Sequence, residues 1–438
     1  MNVRAPSLVL LVMACVAVTR SQQEKVIVLE HADSLVGKIL DGEEVRELIG
    51  HVRFRQGTVA VSCDRAVQFL KTRKVSLHGN VLVRDDTVTM RGKRGMYYNA
   101  DRVAEAYDGV RLDDGKTVLT ADYGRYHVDA KKAFFRSNVV VEDSASTLKA
   151  DSLTYYREDK RSIADGEVQI HNTGDNVTIL GGHFENFTRQ QFSRMTLHPV
   201  VVQVDTSGAT PDTFTVRSRV MESYRDSTKR LVAIDSVRIA GSLLSGEAGI
   251  AVFLTDADSI VLKQNPFVWY EESQVSGDSI FIKLLKRKPE TVYVRGDPFA
   301  ISRSDSLYTK RFDQLTGELI TMRFSGGRIR RIDVNQTATS VYFLFEDRKD
   351  SAGTSRRPNG LNKTTGDHVA IYFVDGKADR ISVVGGVEGE YFPENLVDGR
   401  EPEYYLPGFN WREDHPGAKK TERSTASEKN HSVGKSND

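Results

Sequence analysis

The sequence predicts an all-β protein built from stacked repeats. Three observations predict this class: apolar residues recur at a constant spacing, apolar and polar residues alternate around them, and turn-forming residues precede them. The spacing is 29 residues, and it is kept by the valines Val52, Val81, Val110, Val139 and Val168. A constant period of this size is typical of repeat proteins, in which each unit buries its apolar face against its neighbours.

Two further columns of apolar residues keep the same period. The first comprises Phe54, Val83, Leu112, Val141 and Ile170, and the second comprises Val61, Met90, Leu119, Leu148 and Val177. Residues two apart lie on the same face of a strand, and intervening positions such as Arg53 and Arg111 are polar. This alternation indicates half-buried strands and not helices.

Each column valine follows a pair of residues that favour turns. Gly79 and Asn80 precede Val81, so we expect the chain to turn at such pairs and to enter a strand at the valine. Each unit would then hold three or four short strands. The apolar columns would face inward, either as a closed core or as the lining of an open lipid slot, and periodicity alone does not decide between the two.

A column of aromatic rings admits two interpretations. Its members are Tyr97, Tyr126, Tyr155 and Phe184. The rings could stack as a ladder within the sheet, or they could line a surface that binds sugars or acyl chains. We favour the ladder.

The N-terminus has the features of an export signal. A positive charge precedes a short apolar core at 8–14, and small residues precede a cleavage point after Ser21. We therefore expect residues 1–21 to be removed and the remainder to be exported. Cys15 lies in a stretch similar to a lipoprotein cleavage box, which is the alternative. Cleavage after Ser21 leaves Cys63 as the single cysteine, so no internal disulfide is expected.

The strict period loosens after about residue 180, although strand-like alternation persists. We expect two related units joined by a linker, then a polar loop, a C-terminal hairpin with a closing segment, and a disordered tail. The predicted bounds are 22–205 and 212–346 for the two units, 347–367 for the loop, 368–411 for the hairpin and closing segment, and 412–438 for the tail.

No catalytic or metal-binding motif is found in the sequence. It contains no G-x-S-x-G elbow, no phosphate-binding glycine loop and no H-E-x-x-H helix. Asp256 and Asp258 lack the glycine and the distal glutamate of a calcium loop. The formal net charge of +1 gives no electrostatic basis for binding nucleic acid. We therefore expect no enzymatic activity, no cofactor and no metal, with Cys63 as a small apolar filler.

Several short motifs recur along the chain. They are a G-N-V segment at 79–81, Gly124 with Tyr126, and an A-D pair at 150–151 with Tyr155. Later stretches of the same kind lie at 312–334, 338–342 and 406–412. In order and repetition these motifs resemble the OstA/LptA-like family of periplasmic lipopolysaccharide-transport proteins, over most of the chain.

The resemblance implies a stacked β-jellyroll with antiparallel strands in two splayed sheets, here as two consecutive units. It implies that acyl chains of lipopolysaccharide, or of a related acylated glycolipid, lie between the sheets, where the three apolar columns would line the groove. Partners would be other jellyroll transport components or further copies of the chain, joined by strand addition at an exposed edge. The candidate edge residues are Val26, Ile27, Val28 and Leu29.

The implied function is passive carriage of the glycolipid through the periplasm toward the outer membrane. Arg53, Arg84 and Arg111 are candidates to meet its phosphorylated head groups. Two other classes stay open: a β-solenoid that binds or processes polysaccharide, and a structural scaffold of the envelope. A processing enzyme would require a cluster of carboxylates on one face, and a scaffold would show repeats without a splayed groove.

Overall fold

The computed structural model describes residues 27–416, except 57–58, 86–87, 175, 207–210, 243, 351–352 and 375–376. These residues form one hydrogen-bonded sheet of 31 strands and two short helices. No helix in this part of the chain could span a membrane. The predicted export signal with Cys15, and the edge candidate Val26, lie outside the described residues.

The strands up to the predicted junction are β1 (Val28–His31), β2 (Ser34–Leu40), β3 (Glu43–Gln56), β4 (Val59–Phe69), β5 (Lys74–Asp85), β6 (Val88–Tyr98), β7 (Val103–Asp113), β8 (Val118–Ala121), β9 (Tyr123–His127), β10 (Lys132–Glu142), β11 (Ser146–Tyr156), β12 (Arg161–Asn172), β13 (Val177–Phe187), β14 (Phe192–Thr196) and β15 (Val200–Asp205).

The later strands are β16 (Asp212–Arg217), β17 (Val220–Tyr224), β18 (Arg230–Ala240), β19 (Leu244–Leu254), β20 (Ser259–Lys263), β21 (Phe267–Tyr270), β22 (Ser273–Ser276), β23 (Ser279–Leu285), β24 (Lys288–Arg295), β25 (Phe299–Arg303), β26 (Phe312–Thr316), β27 (Leu319–Ser325), β28 (Arg328–Asp350), β29 (Gly353–Val374), β30 (Lys377–Val384) and β31 (Glu388–Phe392). The helices are α1 (Glu394–Val397) and a 3-10 helix (Glu401–Tyr404).

The long strands of the repeat bend once near their middle. In β5 the pairing with β6 shifts register between His78 and Val81. The two residues at the bend, Gly79 and Asn80, have left-handed φ angles of 70° and 47°, a conformation that glycine and asparagine adopt at low cost. The predicted turns are therefore bends inside strands, because pairing continues on both sides of them.

One 29-residue unit is a hairpin of two bent strands. β10 and β11 pair antiparallel along their length, with one register shift between Arg136 and Val139 at the bend. The three or four short strands predicted for each unit correspond to the four half-strands of this hairpin.

The bends divide the sheet into two half-sheets that face each other. Half-sheet A runs from β2 to β30, and half-sheet B runs from β1 to β31. Inward side chains from both, such as Phe135 of half-sheet A and Leu112 of half-sheet B, join one hydrophobic core that extends from Ala106 to Val369. The predicted all-β, antiparallel, stacked jellyroll is confirmed.

The sheet and the core continue through the predicted junction. β15 pairs directly with β16, so that 206–211 connects the two strands of a hairpin. Val201 and Val216, on either side of this connection, belong to the same core. The two predicted units therefore share one sheet.

Strands replace the polar loop predicted for 347–367. β28 and β29 remain paired to their connection at 351–352. Glu346, Asp347, Arg356 and Arg357 are exposed, so these positions of the hairpin extension do not need apolar side chains. Pro358 pairs opposite Phe345 at a register shift, where the missing amide donor is tolerated.

The chain leaves the sheet after β31 and returns across its outer surface. Residues 393–416, here called the C-terminal strap, cross half-sheet B on the face opposite the main core. Val397 and Leu406 of the strap pack with Phe312 and Phe343 in a second apolar cluster. The alternation within β25 explains this second layer, since Ala300 points into the main core while its neighbours Phe299 and Ile301 point into the strap cluster.

The end of the strap is also packed. The amide of Arg412 donates to Gln274 Oε1 over 2.9 Å, and the rings of His415 and Trp269 stack with centroids 5.3 Å apart. Residues 412–416, predicted to belong to a disordered tail, are thus held against half-sheet B. Residues 417–438 of that predicted tail lie outside the described residues.

Candidate lipid groove between the half-sheets

Strand register brings most of two predicted columns into one continuous row. The row crosses the inner face of half-sheet B, strand by strand, through Leu29, Phe54, Val61, Val83, Met90, Leu112, Leu119, Val141, Leu148 and Ile170. Val177 is two pairs farther along, opposite Asn172, and Ile179 takes its place in the row. The row begins at the predicted edge residue Leu29.

Exposure falls steeply along this row. Leu29 is 44% exposed, Phe54, Val61, Val83 and Met90 are half-buried, and Leu112 is fully buried. Beyond Leu112 the members up to Ile170 are all buried, and Ile179 is partly buried and packed against the same core. Inward side chains therefore meet solvent at the N-terminal end, whereas they are packed in the core from β7 onward. The groove candidates are thus partly exposed at one end and closed core at the other.

The valine column lies at the bottom of the groove. Val52, Val81, Val110, Val139 and Val168 are all buried. Their cross-strand partners are small, for example Cys63 opposite Val52 and Gly92 opposite Val81 and Val110. Because these valines fill the inside of the bend, they hold the two half-sheets together. The side walls between the half-sheets are formed by other residues.

The facing wall of half-sheet A contains a column that was not predicted. Leu48 and Leu77 are partly buried and pack against the cluster of Val52 and Val81. They keep the same 29-residue period and continue as the buried residues Ala106, Phe135 and Ala164. The period was therefore sufficient to find them, since each lies four residues before a column valine.

The polar groups of the open end differ from those predicted. Arg53, Arg84 and Arg111 alternate with the inward residues of half-sheet B, so they lie on its outer face, away from the groove. Arg46 shares the inward face of β3 with Leu48 and is exposed, as is its cross-strand partner Gln68. Arg46 is therefore a cation on the groove wall at its open end.

Three members of the aromatic column are buried in the closed core. Tyr126, Tyr155 and Phe184 are 6–7% exposed, and burial raises the pKa of Tyr155 to about 12. Across the strands the tyrosines alternate with Ala104 and Ala133, so each ring packs over a small neighbour. A ligand has no access to these three rings, and their position favours the structural ladder.

The N-terminal edge presents unpaired backbone and apolar side chains. β1 pairs with β3 along one side only among the described strands, and β2 does the same. Ile27, Val28 and Leu29 are 56%, 54% and 44% exposed, and Ile39 of β2 is 74% exposed. Exposed strand edges with apolar side chains are sites where another strand can add.

Cys63 is the reactive side chain nearest the groove candidates, and its surroundings make it inert. Cys63 is buried, and burial raises the pKa of its thiol to about 11, so the thiolate nucleophile is scarce at neutral pH. In the described part of the chain, no group of three or more His, Cys, Asp or Glu side chains is placed to hold a metal ion.

Bent hairpins stacked around an apolar groove define a β-jellyroll protein. A family model described as OstA-like protein matches residues 23–179, and one described as LptA/(LptD N-terminal domain) LPS transport protein matches residues 119–288. The two matches overlap and together span 23–288. No curated protein matches the chain at a significant level. The chain is a member of the OstA/LptA-like family.

Proposed function

We propose that the protein carries lipopolysaccharide, or a related acylated glycolipid, through the periplasm by holding its acyl chains between the half-sheets. The OstA/LptA-like family is a family of lipopolysaccharide-transport proteins. The observation that supports a groove in this chain is the row of inward apolar side chains whose exposure decreases from Leu29 to Leu112. Binding is passive, because each acyl-chain methylene that moves from water to this row contributes about 0.8 kcal/mol to the free energy of binding.

The acyl chains enter at the N-terminal end. Phe54, Val61, Val83 and Met90 are inward, apolar and half-buried, so they offer a surface that a lipid can cover. Beyond Leu112 the same row is packed against the other half-sheet and has no room for a chain without separation of the sheets. The exposed guanidinium of Arg46 lies at this end, where a phosphate on the head group would meet it.

The N-terminal edge delivers or receives the cargo. Strand addition to β1 and β2 by another jellyroll would extend both half-sheets and so continue the groove across the junction. Because Leu29 is at once an edge residue and the first member of the row, a joined partner would place its own apolar row next to this one. The partner is another jellyroll transport component or a second copy of this chain.

Site-specific photocrosslinking tests the groove. A photoreactive residue is placed at Val83, which points into the groove, or at Leu82, which is half-buried on the outer face of the same strand. After irradiation of intact cells, we expect a glycolipid adduct at position 83 and none at position 82. Equal adducts at the two positions, or none at position 83 in folded protein, would overturn the placement of the lipid.

A charged substitution gives a second test with the same matched pair. Val83→Glu should weaken binding of purified lipid A at least about tenfold, because the carboxylate loses hydration when the acyl chain covers it. Leu82→Glu should leave binding unchanged. Val110→Glu is unsuitable for this purpose, because Val110 is buried at the bend and a charge there would unfold the protein.

A further inference from the structure

A regular row of rings and guanidinium groups crosses the outer face of half-sheet A. Six adjacent strands, β11, β12, β13, β14, β17 and β18, each contribute one residue in direct cross-strand register. The residues are Tyr156, Arg161, Phe187, Phe192, Tyr224 and Arg230, here called the outer ladder. All six are half-buried, so one side of each group faces solvent.

The members of the ladder touch in sequence. The guanidinium of Arg161 lies 5.7 Å from the ring centroid of Tyr156 and 5.2 Å from that of Phe187. The ring of Phe192 lies 5.7 Å from Phe187 and 5.1 Å from Tyr224. The guanidinium of Arg230 closes the row, 4.2 Å from the ring of Tyr224. These contacts hold each flat group in a fixed orientation.

A second row beside the ladder supplies fixed polar groups. Glu185, Arg194 and Glu222 occupy consecutive strands in register. Arg194 donates to Glu222 Oε1 over 3.0 and 2.7 Å, and the Tyr224 hydroxyl donates to Glu222 Oε2 over 2.7 Å. Glu185 accepts from Arg161 of the ladder. The carboxylates retain free lone pairs for further donors.

Most charges of this surface are paired. Arg161 pairs with Glu185, Arg194 with Glu222, and Arg230 with Asp226, while Lys132, whose ammonium lies 5.2 Å from the Tyr156 ring centroid, adds one further cation. A single-stranded nucleic acid would require a positively charged groove beside the rings, whereas three of these four cations are neutralised by carboxylates. An acyl chain would bury these ion pairs without replacing their hydration. A neutral ligand with many hydroxyls avoids both costs.

We propose that the outer ladder binds an unbranched neutral glycan chain lying across the strands. The ladder members cover one another's faces, so apolar faces of the sugars rest on the solvent-facing edges of the aromatic rings, and vicinal hydroxyls bond to the carboxylates and guanidiniums of the second row. Neighbouring strands are about 4.8 Å apart, close to the length that one β-linked pyranose adds to a chain, so successive sugars meet successive strands. The ladder faces away from the groove, and this site is independent of the lipid.

Calorimetric titration of the full mature chain with the hexasaccharides of β-1,4-linked N-acetylglucosamine and β-1,4-linked glucose tests the proposal. We expect saturable binding of at least one of the two. The double variant Phe192→Ala/Tyr224→Ala removes two adjacent rings and should weaken glycan binding at least about tenfold. The matched control is Phe281→Ala/Tyr293→Ala, which removes a similar ring pair, with centroids 6.1 Å apart, from the same outer face outside the ladder.

Arg161→Lys separates recognition from folding. It keeps the charge but removes the flat group between Tyr156 and Phe187, so it should weaken glycan binding while circular dichroism stays unchanged. Absence of binding to both hexasaccharides by the unaltered protein would overturn the proposal. So would equal losses in the ladder variant and the Phe281/Tyr293 control. Lipid crosslinking at Val83 is expected to be the same in all these variants.

Discussion

The side-chain amide of Asn80 donates a hydrogen bond to the Asp64 carboxylate, 2.9 Å away on the adjacent strand. Asn138 makes the same bond to Asp122 over 2.7 Å. Asn138 and Asp122 each lie 58 residues after their counterparts, Asn80 and Asp64. Both bonds lie at the bend between the half-sheets. The asparagine before a column valine and the aspartate of the adjacent strand are therefore two sides of one contact that secures the bend.

Loss of this contact should lower stability by a modest amount. Asp122→Ala removes the acceptor of Asn138, and the expected decrease in the free energy of unfolding is about 1 kcal/mol, because both groups are exposed and water replaces the partner. Chemical denaturation measures it. Asn138→Ala added to Asp122→Ala should cost only the roughly 1–2 kcal/mol of a left-handed alanine, because Asn138 has a φ of 55° and its bond is already lost. Asp129→Ala is the control, since Asp129 is 70% exposed and paired only with Arg102 among the described residues. Equal effects at Asp122 and Asp129 would show that the bend does not depend on this bond.

The bend also requires glycine at Gly166. Its φ is +76°, and a Cβ there would lie 2.1 Å from the Asp151 carboxylate. Gly166→Ala should therefore destabilise by more than the roughly 1–2 kcal/mol of a left-handed alanine. In an Asp151→Ala background the contacts with the carboxylate are gone and only the 2.9 Å contact with Cβ of residue 151 remains, so the cost of Gly166→Ala should fall toward the backbone contribution. Identical costs in the two backgrounds would contradict this cause.

The sequence predicted the repeat, the inward columns and the family, because side-chain alternation and turn residues are local properties. It could not tell a bend from a turn: Gly79-Asn80 satisfies both, and only the partner strand decides which one forms. Nor could it tell which members of a column are open. Val83 and Val141 are chemically identical, and their difference in burial depends on the separation of the half-sheets.

A closing segment up to 411 was predicted, but its packing on the outer face of half-sheet B was not, for a different reason. Leu406 and Trp411 belong to no period, and their partners Phe312 and Phe343 occupy the outer face, where polar residues are the usual choice. Aromatic residues at outward positions of β25 and β26 were the available signal. The strands at 347–367 were missed because exposed polar residues such as Asp347, Arg356 and Arg357 have the composition of a loop.

A buried carboxyl should make stability depend on pH. Asp313 of β26 accepts from Ser304 Oγ over 2.6 Å and from the Phe343 amide over 3.0 Å, yet burial raises its pKa to about 7. The folded state thus holds a proton that the unfolded state releases near pH 4, so its stabilising contribution is lost as pH rises toward 7 and beyond. Asp313→Asn keeps an acceptor for both donors and removes the titration. The free energy of unfolding should fall from about pH 5 to about pH 8 by more in the unaltered protein than in this variant. Parallel curves would contradict the assignment.

The strap depends on one buried ion cluster. Arg311 is 1% exposed and donates to both oxygens of Glu394, over 3.0 and 2.6 Å, and to Glu401 over 3.4 Å. Arg311→Met leaves these carboxylates without their partner, which should cost on the order of 3 kcal/mol and release the strap to limited proteolysis within 393–416. Arg400→Met is the matched control, because the Arg400–Glu403 pair is exposed on the same segment. Equal protease resistance of the two variants would rule out the anchoring role.

The central claim is that the space between the half-sheets holds an acylated glycolipid. Mass spectrometry of organic extracts, from protein purified out of its own host envelope, tests it most directly. Stoichiometric lipopolysaccharide or another acylated glycolipid is the expected result. Protein that is free of lipid, and that also fails to take up added lipid A, would contradict the claim and favour a scaffold or a polysaccharide-binding protein.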